Sequence, residues 1–465
     1  MNIQQIASIA PSPRQLAWQK MEFYAFAHFG MNTFTGSEWG DGSAPASLFA
    51  PSDFDANQWV QCVKSAGMKG LILTCKHHDG FCLWPSQYTD YSVKNSPWKD
   101  GKGDVVQEVS QACKRHGIAF GVYLSPGDRH EATYGQGEAY NTFYKNQLRE
   151  LASNYGDIFC FWFDGACGEG ANGKKQVYDW EGYYSIIRQL QPNAVISVCG
   201  PDVRWCGNEA GVCRTSEWSV VPAALQDAER TAEKSQKEDD GKFSRKITSC
   251  DEDLGSRKAI DGCESLVWYP AEVDTSIRVG WFYHPEQDTE LRSLEELKEI
   301  YYNSVGANAC LLLNIPPDTR GRFAQPDVLR LQELGEYLGR TFSNNLAIHG
   351  TAWATDSLQG HSPRNVLSYE EHLFWQPTPG QEQAQLTLEF PQPISFSHVV
   401  LKEHLPSGQR IEAFRLLADG KEIFSGTVVG YQRICRFSPV TAQRITIDIT
   451  ESRFCPTLQQ VCVYP

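Results

Sequence analysis

The chain has 465 residues, 41% of them hydrophobic and 21% charged, and a mean hydropathy of -0.41. At roughly 100–200 residues per domain this suits one large domain followed by a smaller one, and the composition excludes wholesale disorder. The balance of 42 Lys+Arg against 56 Asp+Glu, a formal charge of -14, would repel phosphate backbones and anionic lipid, so neither nucleic acid nor a membrane is expected as a partner. No stretch of about 18 apolar residues occurs, and Met1 to Arg14 carry no basic start, apolar centre or small-residue cleavage site, so neither a span nor a secretory leader is expected. Fifteen cysteines are an odd number, and many stand in apolar runs, such as Cys75, Cys160, Cys199 and Cys310. They read as reduced, buried thiols of a cytoplasmic protein. A structural metal would want closer pairs than the seven-residue spacings of Cys75/Cys82 or Cys199/Cys206.

From Phe23 to Pro317 one grammar repeats: a short run of β-branched and aromatic residues ends in polar residues, and most runs are followed by a helix-like stretch. The runs are Phe23–Gly30, Gly70–His77, Ile118–Ser125, Asp157–Gly165, Ala194–Gly200, Val212–Trp218, Ile277–Tyr283 and Ala309–Pro316. Eight of them predict a parallel (β/α)8 barrel over residues 1–341. Helical spacing is clearest in Asp104–Arg115, where Val105, Val106, Val109, Ala112 and Cys113 share one face and Gly117 follows as a stop. Asn57–Ala66, Thr142–Ser153, Trp180–Leu190 and Leu291–Asn303 read the same way. Asp227–Lys258 breaks the pattern, being crowded with charges of both signs, and reads as a solvated insertion rather than a lid. After Phe342, short alternating segments (Gln385–Phe390, Ser397–Leu401, Phe414–Ala418, Arg444–Ile449) separated by turns predict an all-β sandwich over residues 342–465.

In such a barrel the reactive groups project from the C-terminal ends of the strands. The first run closes with His28-Phe29-Gly30 and the second with Lys76-His77-His78-Asp79-Gly80-Phe81. The third closes with Tyr123-Leu124-Ser125-Pro126 and the fourth with Trp162-Phe163-Asp164-Gly165. Glu209 precedes the sixth and Glu217 stands within it, before Trp218, and the seventh ends in Arg278 to His284 with Trp281. Imidazoles, flat rings and a carboxylate pair at one rim are what a sugar site needs. Asp164 follows an apolar strand, so its charge must have a task or a partner; on spacing alone, a helix cap or an arginine pair serves as well as chemistry. His28, His77, His78 and Asp164 also form a possible ligand set, but adjacent His77 and His78 would point to opposite sides of an extended chain, which disfavours a metal.

Phe26-Ala27-His28-Phe29-Gly30, Ser37-Glu38-Trp39, Lys76-His77-His78-Asp79-Gly80-Phe81, Trp162-Phe163-Asp164-Gly165 and Gly280-Trp281-Phe282-Tyr283-His284 together resemble the α-L-fucosidases of glycoside hydrolase family 29. Trp205-Cys206-Gly207-Asn208-Glu209, Ser216-Glu217-Trp218-Ser219 and Asp253-Leu254-Gly255-Ser256-Arg257 are similar to the branch selective for α-1,3 and α-1,4 fucose. The last third resembles the galactose-binding-type jelly roll that often follows the barrel there. The resemblance implies an exo-acting, retaining hydrolase of fucosylated oligosaccharides or glycans, working without metal or organic cofactor. Asp164 matches the nucleophile, and Glu209 the general acid/base with Glu217 as competitor. His28, Glu38, Trp39, His77, His78, Tyr123 and Trp281 match the fucose-binding positions; Arg278 either bonds a sugar hydroxyl or pairs with a carboxylate. Gly127 stands where an aromatic is more usual, a departure that bears on the aglycone. Two other readings remain: a metal-dependent barrel hydrolase on His28, His77, His78 and Asp164, and a carbohydrate-binding protein whose sandwich does the work. The sandwich aromatics Trp353, Phe374, Trp375 and Tyr431 form no obvious platform, though Trp375 before Gln376-Pro377 could sit at a loop tip. Sequence leaves the oligomeric state open.

Overall fold

The computed structural model describes residues 1–235 and 253–465. Eight parallel strands form one sheet that curls into a barrel: Phe23–Ala27, Gly70–Lys76, Ala119–Leu124, Cys160–Phe163, Val195–Val198, Arg204–Trp205, Ala271–Ser276 and Ala309–Asn314, with the first paired to the last. A single bridge, Ser197 to Val203, nearly closes the ring between the fifth and sixth strands. Side chains alternate across the sheet as strand geometry demands. Tyr24, Phe26, Ile72, Tyr123, Cys160, Trp162 and Leu312 fill the interior, while Phe23, Ala25, Leu71, Leu73, Phe161 and Leu311 pack outward against the helices.

Local chemistry sets the helix limits. Asp104 caps Val105–His116 by accepting from the Gln107 N–H at 2.8 Å, and Gly117 ends that helix at φ 68°, a left-handed turn that glycine adopts without strain. Asp55 caps Ala56–Ser65, and Ser293 with Glu296 forms a capping box on Leu294–Tyr302. Trp180–Leu190 runs as the spacing indicates, whereas the helix expected over Thr142–Ser153 starts earlier, at Glu138, and runs to Asn154.

Two of the eight expected strands are displaced. Val212–Trp218 is a loop; the sixth strand is the pair Arg204–Trp205, too short to leave an apolar signature. Ile277–Tyr283 follows the seventh strand, which is Ala271–Ser276, and Glu272 and Asp274 within it disguise a buried strand as a polar one. Val220–Pro222 and Leu266–Trp268 pair separately as an antiparallel ribbon. Most of the Asp227–Lys258 insertion lies outside the described residues; its start forms a helix, Ala228–Lys234, capped by Asp227.

The C-terminal part is an antiparallel sandwich around its own core of Trp375, Leu386, Phe396, Leu416, Ile447 and Val463. Gln385–Phe390 and Ser397–Leu401 prove to be halves of one strand, Ala384–Lys402, which bends through register shifts at Glu389/Ile394 and Phe396/His398. Trp375 is fully buried, its indole N–H donating to the Asp356 carbonyl, so it is not a loop-tip ring. Trp353 is 46% exposed on an edge strand, Phe374 stacks on His404, and Tyr431 donates to Glu22 of the barrel at 2.9 Å. The Tyr431 bond, the Lys402–Glu22 ion pair and the bond between Tyr302 Oη and His398 tie the sandwich to the barrel. The described cysteines are all free thiols, buried except for Cys167 and Cys263. No helix among the described residues is long and apolar enough to cross a membrane.

Candidate active site

A pocket opens at the C-terminal rim, lined by Phe26, His28, Trp39, His77, His78, Trp162, Asp164, Ala166, Glu209, Asp274 and Trp281. The chain reaches it from the ends of the first, second, fourth and seventh strands and from the loops that follow the first, sixth and seventh. The second strand stops at Lys76, and a turn follows. His77 and His78 therefore do not alternate as they would on an extended chain: their ring centroids lie 4.3 Å apart and both line the pocket, correcting the expectation of opposite faces.

Asp164 closes the fourth strand. Its Oδ2 accepts from the Tyr123 hydroxyl at 2.8 Å and lies 3.5 Å from His78 Nε2, while Oδ1 accepts from the Ala166 N–H at 2.7 Å. Among the described residues no arginine pairs with it, so the arginine-pair alternative for Asp164 has no support in the geometry. Glu209 arrives from the loop after Arg204–Trp205. Gly207 at φ 108° turns that loop, and Asn208 pins it through bonds to the Val212 carbonyl and the Ala210 N–H. Trp281 Nε1 donates to Glu209 Oε2 at 3.0 Å. Glu217 is elsewhere: at 0% exposure it takes Arg204 Nη2 at 2.6 Å and the Arg214 N–H at 3.1 Å. Geometry thus separates the two glutamates that sequence left competing.

The histidines are set as neutral groups with assigned faces. Asn314 donates through Nδ2 to Ser276 Oγ and the Trp281 carbonyl, so its Oδ1 accepts from His28 Nδ1 at 2.8 Å. His28 Nε2 is left as an acceptor. Burial brings the pKa of His28 down to about 3, against the Asn314 bond. Asn32 Nδ2 faces His77 Nδ1 at 3.4 Å, which places the His77 proton on Nε2 as a donor, and burial holds His77 well below the usual imidazole range. His78 Nδ1 donates to Ser125 Oγ at 2.7 Å, because that hydroxyl gives its own proton to the Gly127 carbonyl. Burial lowers His78 too, against the pull of Asp164.

Two expected sugar-binding residues stand behind the lining. Glu38 accepts from the Trp281 and Phe282 N–H groups and from His284 Nε2, at 2.8, 3.2 and 2.7 Å, and so holds the segment that presents Trp281. Tyr123 is fully buried and reaches the pocket through its bond to Asp164. Trp39 meets His78 edge-on at 5.0 Å, with the Arg129 guanidinium over its ring. Arg278 lies outside the pocket, fully buried, and pairs with Asp327 and Asp288. Of the four residues the metal reading needs, His77, His78 and Asp164 have ligand atoms within 4.8 Å of one another; His28 is not in that group.

Sequence reasoning missed Glu272 and Asp274. Asp274 lines the pocket and accepts from Trp205 Nε1 at 2.9 Å; Glu272 lies deeper, bonded to Tyr24 Oη and to Trp162 Nε1. Burial raises Glu272 to about 7 and, with the charge of Glu272 added, lifts Asp274 well above the carboxylate range. Glu209 is likewise raised, by burial first and then by Asp274 and Asp164, against the Trp281 bond. The spacing Glu272-x-Asp274, which puts both on one face of a strand, was the signal available. Asn314, the polar residue closing the eighth strand, was another.

A family model described as alpha-L-fucosidase matches residues 15–341. The chain is 41% identical over 466 residues to alpha-L-fucosidase 1 of Arabidopsis thaliana, covering 98% of this chain and 87% of that protein. It superposes on the solved structure of SpGH29 with a TM-score of 0.85 at 37% identity, over 98% of both chains. A Ruminococcus gnavus GH29 fucosidase solved in complex with fucose is 30% identical with a TM-score of 0.83, covering 98% of this chain and 95% of that one.

Proposed function

The chain belongs to the α-L-fucosidase family, glycoside hydrolase family 29, and from that premise we propose that it removes terminal α-1,3- and α-1,4-linked L-fucose from Lewis-type oligosaccharides and glycans with retention of configuration. Asp164 attacks the anomeric carbon to give a covalent fucosyl-enzyme. Glu209 protonates the departing oxygen and then takes a proton from the water that releases fucose. The observation that carries this reading is the placement of Asp164 and Glu209 in one pocket, with Glu209 half-buried and biased toward its protonated form while Glu217 is locked in an ion pair.

The surroundings suit a 6-deoxy sugar. His28 Nε2 accepts from one ring hydroxyl and His77 Nε2–H donates to another, while the faces of Trp281 and Trp39 suit C–H groups and the methyl. Glu38 acts on the sugar through Trp281. The α-1,3/1,4 preference rests on the Trp205–Glu209, Ser216–Ser219 and Asp253–Arg257 motifs, and Gly127 shapes the aglycone side. A reducing compartment, the cytoplasm, fits the free thiols.

An NMR time course with a Lewis-type trisaccharide in EDTA tests the reading. α-L-Fucose is the first product expected, with activity lost in Asp164→Ala, and azide rescues Glu209→Ala on an activated aryl fucoside. β-L-Fucose appearing first would mean inversion. The cluster of His77, His78 and Asp164 favours a metal as the second reading, and loss of activity in EDTA would establish it. No turnover of any fucoside would leave a binding protein.

A further inference from the structure

Fucose recognition and double displacement account for Asp164, Glu209, the histidines and the tryptophans; they leave Asp274 without a task. We propose that Asp274 is a positioning residue that shares a single proton with Glu209, holding that proton on Glu209 until the glycosidic oxygen takes it. The inference rests on the assignment of Asp164 and Glu209 made above.

Three carboxyl groups, Asp164, Glu209 and Asp274, line one pocket. Asp274 faces Glu272 on its own strand, Asp164 across the pocket, and Glu209 on the adjoining loop. Beyond these stand His28, His77 and His78, kept neutral by burial, then Tyr123 and Glu38, with the charge of Arg129 acting on His77 and His78. No lysine or arginine ion pair reaches Glu209 or Asp274 among the described residues. Each instead accepts one indole N–H, Glu209 from Trp281 at 3.0 Å and Asp274 from Trp205 at 2.9 Å. Like charges crowded in a site of low dielectric cannot all ionise, so one proton is retained by the pair. Burial raises both groups, joined at Glu209 by the charges of Asp274 and Asp164 and at Asp274 by those of Glu272 and Asp164.

The charges balance through the cycle. Before attack, Asp164 carries one negative charge and the pair, holding its proton, carries another. When Asp164 forms the ester it loses its charge, and Glu209 gives its proton to the leaving oxygen, so the pair becomes doubly negative. The total is unchanged; one charge has moved from Asp164 to the pair, where the two indole donors stand ready. In the second step Glu209 takes a proton from water, the resulting hydroxyl bonds to the anomeric carbon, and the C–O bond to Asp164 breaks with its electrons returning to the carboxylate.

Asp274→Asn keeps the oxygen that accepts from Trp205 and removes the charge. The pH profile of kcat/KM on a Lewis-type trisaccharide should lose its basic limb about one unit or more lower than in wild type. An aryl fucoside with a good leaving group, which needs little acid assistance, should fall less than the trisaccharide. A basic limb that stays in place, or equal losses on both substrates at every pH, would show that Asp274 only supports Trp205. Titration of the Glu209 carboxyl by 13C NMR, assigned by difference from Glu209→Gln, reads the same pair without turnover. A wild-type Glu209 still protonated at neutral pH that titrates lower in Asp274→Asn supports the proposal, and a wild-type Glu209 ionised at neutral pH overturns it. Should the chain turn over no fucoside, the catalytic assignment fails while this titration still decides the pair.

Discussion

Glu217→Gln tests whether the second glutamate of the sixth loop region is structural. Its carboxylate is fully buried between Arg204, bonded at 2.6 Å, and Arg214, whose N–H lies at 3.1 Å and Nη1 at 3.4 Å. Glutamine keeps the volume but removes the counter-ion of Arg204, a guanidinium that is 5% exposed and already has one nitrogen, Nη1, without a hydrogen-bond partner. Breaking a buried pair from one side costs about 3–5 kcal/mol. The amide oxygen still accepts one bond, which puts the loss near the lower figure, about 3 kcal/mol. Urea denaturation beside wild type reads the loss. Kinetics at a temperature where both are folded should show aryl fucoside and trisaccharide affected alike, with no response to azide. A variant as stable as wild type that fails selectively on the trisaccharide and recovers with azide would make Glu217 the proton donor.

His28, held at about pKa 3 against an unfolded value near 6.5, stays neutral with its proton on Nδ1, so 15N NMR should show that tautomer down to about pH 5. The unfolded chain takes up this proton first, so stability is unaffected by His28 above pH 6.5 and declines toward pH 3 by about 1.4 kcal/mol per unit. The stability gap between wild type and His28→Gln should therefore narrow by up to about 2.7 kcal/mol between pH 6.5 and 4.5, and parallel pH curves would contradict it. Glu38→Gln weakens charge-assisted bonds to the Trp281–His284 segment worth about 1.5–3 kcal/mol each. It should lower kcat/KM on fucosides about tenfold or more, and unchanged kinetics would remove Glu38 from the support of Trp281.

Strands with uniform apolar runs were legible because burial on both faces writes itself into sequence; Gly70–Lys76 and Ala309–Asn314 are of that kind. The sixth and seventh strands were not, since two residues carry no period and Glu272 and Asp274 break one. The pocket residues His28, His77, His78, Asp164, Glu209 and Trp281 were readable from motifs at strand ends. What motifs could not supply was direction. His77 and His78 share a face only because the strand stops at Lys76, and Glu38 supports Trp281 because the loop after the first strand meets the one after the seventh. Glu209 and Glu217 stand eight residues apart in the chain, yet the first lines the pocket while the arginines around the second hold it away from it.

Trapping with 2-deoxy-2-fluoro-α-L-fucosyl fluoride, followed by peptide mass mapping, decides whether Asp164 is the nucleophile. One fluorofucosyl adduct per chain is expected, on the peptide carrying Asp164, slow to hydrolyse and absent from Asp164→Ala. An adduct on another carboxylate, or turnover of natural fucoside with β-L-fucose as first product and no adduct, would contradict it.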